Sequence, residues 1–252
     1  MTALTILIIA GAVALGACSQ RASGMGMGIV GGPIVSLVLG PATGILVINV
    51  IACVNAIILT WGARREVSWK RFGLIASMLI VGAIPGAWLV RSANPALLQV
   101  LVGLAVLAAL GLVTWGARLV PTPRGPVPAL CAGAIGGFMN TLAGVAGPAI
   151  TVYAQAARWP HVMYAATLQP IFMVSGLLSV VVKTVGGAGS LADVSLWLWP
   201  AAAVGMVAGI AAGRAVAGRI THAVAHRAAL TLAVAGAGAV VVRGALAWWA
   251  GV

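Results

Sequence analysis

Two short stretches concentrate the residues that could do chemistry: GMGMGIVGGP at 24–33 and NTLAGVAGP at 140–148. Each ends in Gly-Pro inside otherwise apolar sequence. A proline in the first turn of a helix loses nothing by lacking its N–H, so Pro33 and Pro148 mark helix starts. The helix behind each presents free N–H groups and a positive dipole end toward the glycines. Glycine lets such backbone approach a solute closely. Two ends arriving from opposite sides predict a small anion site. Its main-chain donors would be Gly31, Gly32 and Gly147, with Gly28 and Gly144 beside them. The competing reading of glycines in apolar helices is close helix packing. That reading is preferred for Gly82-xxx-Gly86 and Gly209-xxx-Gly213, which lie within long apolar runs and not beside a short helical piece.

Polar side chains near the breaks fit the same chemistry. Asn140 and Thr141 can donate hydrogen bonds to an oxyanion without adding charge; capping a broken helix end is the equal alternative. Asn49 and Gln169 fall eight and nine residues after Pro41 and Pro160. Asn49, Ala52, Cys53 and Ala56 share one helical face, suited to a pathway lining or to a tight helix contact. Asn55, Tyr153, Gln155 and Tyr164 are weaker candidates of the same kind. Arg21 either snorkels at a membrane surface or, if the first hairpin only dips into the bilayer, neutralises the anion.

Other chemistry lacks its residues. The two acids, Glu66 and Asp193, lie outside every apolar run, so carboxylate relays of the kind found in pumps cannot be built. His161, His222 and His226 fall near span ends. Cys18, Cys53 and Cys131 have no metal spacing and read as buried thiols. No Walker A loop, metal motif or nucleophile–base pairing occurs, so no catalytic residue, metal or cofactor is expected.

The elements that must hold the two breaks follow from composition. Only 6% of the 252 residues are charged and 62% are hydrophobic, against about 25% charged in a soluble domain. The expected fold is all-α: a polytopic transmembrane bundle forming one domain over 1–252. The net charge of +12 reads as anchoring of loops on one membrane face; nucleic acid is not an expected partner. LGAC at 15–18 resembles a lipoprotein cleavage box, but MTALT lacks the basic start of a signal peptide.

The chain also reads as two copies of one pattern, 1–120 and 121–252. ALGACSQRASGMGMGIVGGP (14–33) aligns with ALCAGAIGGFMNTLAGVAGP (129–148), Pro41 with Pro160, and Val67-Ser68 with Val194-Ser195. Each copy has a leading apolar segment (3–20; 129–139), a glycine break and a piece too short to cross (33–40; 148–157). Three spans follow, 42–61, 72–91 and 95–116, then 161–183, 195–213 and 228–250; a spanning helix needs about 20 residues. Three crossings invert the second copy relative to the first. One side then collects Arg64, Arg65, Lys70, Arg71, Arg118, Arg124, Arg158, Arg214, Arg219 and Arg227. The other holds Arg91, Lys183 and Arg243. The crowded side is read as cytoplasmic, with both termini outside. Paired breaks in repeated halves are the sequence mark of a transport site.

The segments GIVGGP, WGARREVSWKR, VGAIPGAWLV and GFMNTLAGVAGP together resemble the TauE/SafE family of sulfite exporters, over nearly the whole chain. The second break has alanine at Ala143 and Ala146, where the family often carries glycine. The resemblance implies a permease of the bacterial inner membrane that moves sulfite, sulfonates or related small anions. Partners implied are the small anion and the lipid bilayer, with a homodimer as one open arrangement. A non-transporting membrane scaffold, a membrane-embedded enzyme and a cation carrier are the rival readings.

Overall fold

The computed structural model describes residues 2–119, 122–192, 194–217 and 222–250. Asp193 and Arg219 lie outside the described residues, as do the side chains of Arg118, His222, His226 and Arg227. Ten α-helices run through them without a strand: α1 Ala3–Ser23, α2 Gly32–Leu39, α3 Pro41–Ala63, α4 Trp69–Ser92, α5 Pro95–Leu119, α6 Val127–Ala143, α7 Gly147–Ala156, α8 His161–Val185, α9 Leu198–Ala217 and α10 His222–Trp249. Seven of them (α1, α3, α4, α5, α8, α9 and α10) hold runs long and apolar enough to cross a membrane. The chain is a multi-pass, all-α membrane protein. The short pieces expected after each Gly-Pro are α2, of eight residues, and α7, of ten.

Each of the series α1–α5 and α6–α10 has a short second helix followed by three long ones, and α6 is shorter than α1 at 17 residues against 21. α9 lies along α1, in the same direction: Gly205, Gly209 and Gly213 meet Ala10, Ala14 and Cys18 in turn. α6 lies along α4 in the same way, with Gly133 on Ile75, Gly137 on Leu79 and Gly82 on Ala134. α3 and α8, third in their series, cross antiparallel: Asn49 meets Ser179, Cys53 meets Met173, and Ser68 meets Thr167. α5 and α10 are also antiparallel, Gly103 packing near Val241 and Gly244 near Ala96. Lipid tails give apolar helices no hydrophobic reason to associate, so close backbone approach must supply the attraction. The Gly-xxx-Gly pairs of α4 and α9 provide it, each against the leading helix of the other half.

Outward-facing positions carry Leu7, Val54, Ile84, Leu104, Val181, Val207 and Leu246, all exposed. Exposed tryptophans gather near the helix ends: Trp61, Trp69 and Trp115 toward the basic loops, and Trp88, Trp197, Trp248 and Trp249 toward the opposite end. Indole rings favour the headgroup level, so these two groups bracket the hydrocarbon layer.

A Cβ at Gly82 would collide with the Ala134 carbonyl, and one at Gly209 with the Ala14 carbonyl. Gly82→Ala and Gly209→Ala should each destabilise the purified protein by about 1–3 kcal/mol through overpacking. Gly11→Ala, where a Cβ meets nothing within 4 Å, should be neutral or stabilising by up to about 1 kcal/mol. Melting curves in one detergent check the contrast.

Candidate functional site

The two breaks form by the same device. Gly24 ends α1 at φ 84° and Gly144 ends α6 at φ 73°, both in the left-handed region that glycine enters freely. Each returns its N–H to the carbonyl four residues back: Gly24 to Gln20 at 2.9 Å and Gly144 to Asn140 at 2.7 Å. The chain then turns and restarts as helix just ahead of Pro33 or Pro148. Eight residues separate Gly24 from Pro33 and only three separate Gly144 from Pro148. A single wide π turn of five residues, Met27–Gly31, takes up the difference. Such turns recur at functional positions.

This turn relocates the first set of main-chain donors. The Gly32 N–H is engaged by the Gly28 carbonyl. The amides that open the re-started helix therefore belong to Met27, Gly28 and Ile29, one turn earlier than Gly31–Gly32. On the other side Gly147 does open α7.

The breaks touch. Gly28 lies against the Gly144 carbonyl so closely that no Cβ fits, and Gly32 lies beside Ala143. Met25 packs on Gly147, and its sulfur receives the Thr151 hydroxyl at 3.1 Å. Between the breaks is a cavity of about 30 Å³, lined by Met25–Ile29, Gly144–Gly147, Gln20, Asn49, Ala52, Asn140 and Phe172. This is room for roughly two waters. Its polar lining is neutral: three carboxamides and main-chain groups.

Two of those carboxamides, Gln20 and Asn140, make hydrogen bonds to carboxamides on other helices beside the cavity. Gln20 on α1 donates to Gln169 on α8 at 2.9 Å, and Gln169 in turn donates to the Ala165 carbonyl at 3.1 Å. Asn140 on α6 donates to Asn49 on α3 at 2.9 Å, and Asn49 donates to Ser179 at 3.0 Å. All four amides are buried. Gln20 and Asn140 each stand four residues before the glycine that ends their helix, so the two bridges occupy corresponding positions. Beyond the Gln20–Gln169 bridge is a second cavity of about 380 Å³, on the side of the basic loops, lined by Arg21, Glu66 and His161 among others.

Of the residues singled out from sequence, Gly28, Asn49, Asn140, Gly144 and Gly147 line the central cavity. Gln169 stands in its closing bridge and lines the second cavity. Arg21 is exposed and lines the second cavity, its stem packed on Gly213. Gly31 lies against Ile48, and Thr141 faces Gly86 of α4 with no hydrogen-bond partner for its hydroxyl among the described residues. Sequence reasoning passed over Gln20 and Ser179. Aligning the halves on Gly24 and Gly144, rather than on Gly-Pro, would have paired Gln20 with Asn140 and exposed it.

The family model for the sulfite exporter TauE/SafE matches residues 7–241. No curated protein and no solved structure matches the chain. The match spans most of the sequence, so the chain belongs to the TauE/SafE family of sulfite exporters.

Deleting one amide of a bridge leaves its partner buried and unsatisfied, at about 1–3 kcal/mol. Asn49→Ala and Asn140→Ala should each cost that much, and the double variant should show coupling of about 0.5–3 kcal/mol. Thr141→Val should be neutral or stabilising, because it removes a hydroxyl that has no partner. Thermal melts of the four variants in detergent check all three statements.

Proposed function

We propose that this TauE/SafE chain is a permease of the bacterial inner membrane, and that it carries sulfite or a related small organic anion through the cavity between the two breaks. The observation that carries the reading is the cavity itself: two helix restarts converge on it, its lining is neutral and amide-rich, and an amide bridge closes it on each side. The opening amides of Met27–Ile29 and of α7 supply positive dipole ends. Asn49, Asn140 and Gln20 supply side-chain donors.

The halves act as inverted copies, 1–120 and 121–252, with the basic loops in the cytoplasm and both termini outside. The antiparallel crossing of α3 with α8 and of α5 with α10 supports this, since equivalent elements of inverted copies run in opposite directions. Transport proceeds by rocking one half against the other. The Gln20–Gln169 bridge parts to open the cavity to the cytoplasm, and the Asn49–Asn140 bridge parts to open it outward. Neither of the chain's two acids lies in an apolar run, so the drive is the anion gradient together with the membrane potential. An inside-negative potential favours anion exit by about 2.3 kcal/mol per charge per 100 mV.

Proteoliposomes loaded with sulfite, simple sulfonates or sodium chloride test the reading. Sulfite or sulfonate efflux should exceed that of protein-free vesicles and should rise with an inside-negative potential. Asn140→Ala and Gln169→Ala should each change the flux at least several-fold. Equal leakage with and without protein would overturn transport. A flux abolished by uncoupler while the potential is clamped would overturn the proposed drive.

A further inference from the structure

From the sequence Lys183 is the last residue of the span 161–183 and falls, with Arg91 and Arg243, on the side opposite the basic loops. In the structure it lies within α8 and is completely buried. Its ammonium has no hydrogen-bond partner among the described residues. An uncompensated charge in such a place is costly, and a lysine long enough to snorkel would reach water if the fold let it. It is sealed in instead. The Ala188 N–H folds back onto the Lys183 carbonyl at 2.7 Å, and Gly189 rests against Leu46 and Ala42 of α3. The connection after α8 thus closes over this end of the α3–α8 pair.

The lysine also stands in line with the site. Asn140, Asn49 and Ser179 form a continuous hydrogen-bonded file out of the central cavity. Ser179, fully buried, is one helical turn before Lys183 on the same face of α8. On the opposite side of the cavity, Arg21 directly follows Gln20 and lines the second cavity. A basic side chain therefore stands behind each amide bridge, exposed on the basic side and buried on the other.

We propose that Lys183 is a second anion-binding position, on the outward side of the Asn49–Asn140 bridge. It would receive the small oxyanion when that bridge parts and hold it before release. This rests on the permease reading and extends it: the ammonium is the charge that the neutral central cavity lacks. The cost of burying it is then retained for function, not for stability.

That distinction fixes the experiment. Wild type, Lys183→Met and Lys183→Arg are purified, melted in detergent with and without sodium sulfite, and reconstituted for sulfite efflux. Lys183→Met should raise Tm in the absence of sulfite, because an unpaired buried charge is replaced by an apolar chain of similar length. It should also lose most of any sulfite-induced rise in Tm and cut efflux at least tenfold. Lys183→Arg, which keeps the charge, should retain more than a third of wild-type efflux. Efflux within twofold of wild type for Lys183→Met would overturn the proposal. So would a lower Tm for that variant, as expected if the ammonium had a fixed structural partner. Vesicles in which wild type itself moves no anion would remove the permease reading and this inference together. Active wild type beside active Lys183→Met would remove only the inference.

Discussion

The contact of Gly28 with the Gly144 carbonyl is the constraint on which the rest of the molecule depends. Backbone that is not in regular helix has unsatisfied polar groups, and in lipid these cost several kcal/mol each. Two breaks can persist at depth only by burying one another or by facing a polar cavity. Here they do both. No side chain fits between them, so glycine is required at Gly28 for closeness, and at Gly24 and Gly144 for the left-handed turn that ends each helix. The surrounding spans serve this contact. α4 and α9 hold the leading helices α6 and α1 by glycine packing, and α3 and α8 flank the breaks and supply one amide of each bridge, Asn49 and Gln169.

The choice of carboxamides for those closures has an energetic logic. A buried ion pair would be costly to form and costly to separate, since breaking it strands a charge. An amide–amide hydrogen bond contributes only about 0.5–1.5 kcal/mol net. Gln20–Gln169 and Asn49–Asn140 can therefore keep the cavity shut and still part for a modest cost. Each freed amide would find an anion or water to replace its partner. The donors also remain donors when the bridge opens, so the group that closes the path can be the group that greets the solute.

Much of the architecture was legible in the sequence because its causes are local or cumulative. Hydropathy and length placed α3, α4, α5 and α8 to within about three residues at the basic and opposite ends. Gly-Pro placed the starts of α2 and α7. The limits are equally physical. The π turn at Met27–Gly31 is one wide turn whose extra width leaves no trace in composition, so counting back from Pro33 puts the helix opening at Gly31–Gly32, where the Gly32 N–H is in fact bonded to the Gly28 carbonyl. Thr141 stands beside Asn140 in sequence, yet consecutive helix residues point about 100° apart, so one lines the cavity and the other meets Gly86. Lys183 closes the expected span 161–183, where a charge at a span end ordinarily reaches the interface. Its burial depends on the fold-back at Ala188 and Gly189, a tertiary event that no window of sequence contains.

The distribution of charge around the cavity explains why a carrier for anions would keep its central lining neutral. A cation inside a cavity of this size, shielded from water, would bind a small oxyanion strongly, and solute that binds too well does not leave. Setting Arg21 and Lys183 beyond the amide bridges separates attraction from passage. Arg21, exposed at the second cavity, can raise the local concentration of anion at that mouth, while the centre offers only dipoles and hydrogen-bond donors. The asymmetry between an exposed Arg21 and a buried Lys183 then acquires a direction. Water screens the first and not the second; on the proposed reading the position past the Asn49–Asn140 bridge opens to the anion only while that bridge is parted. On that proposed reading the inside-negative potential would help carry the solute outward once it has passed the second bridge.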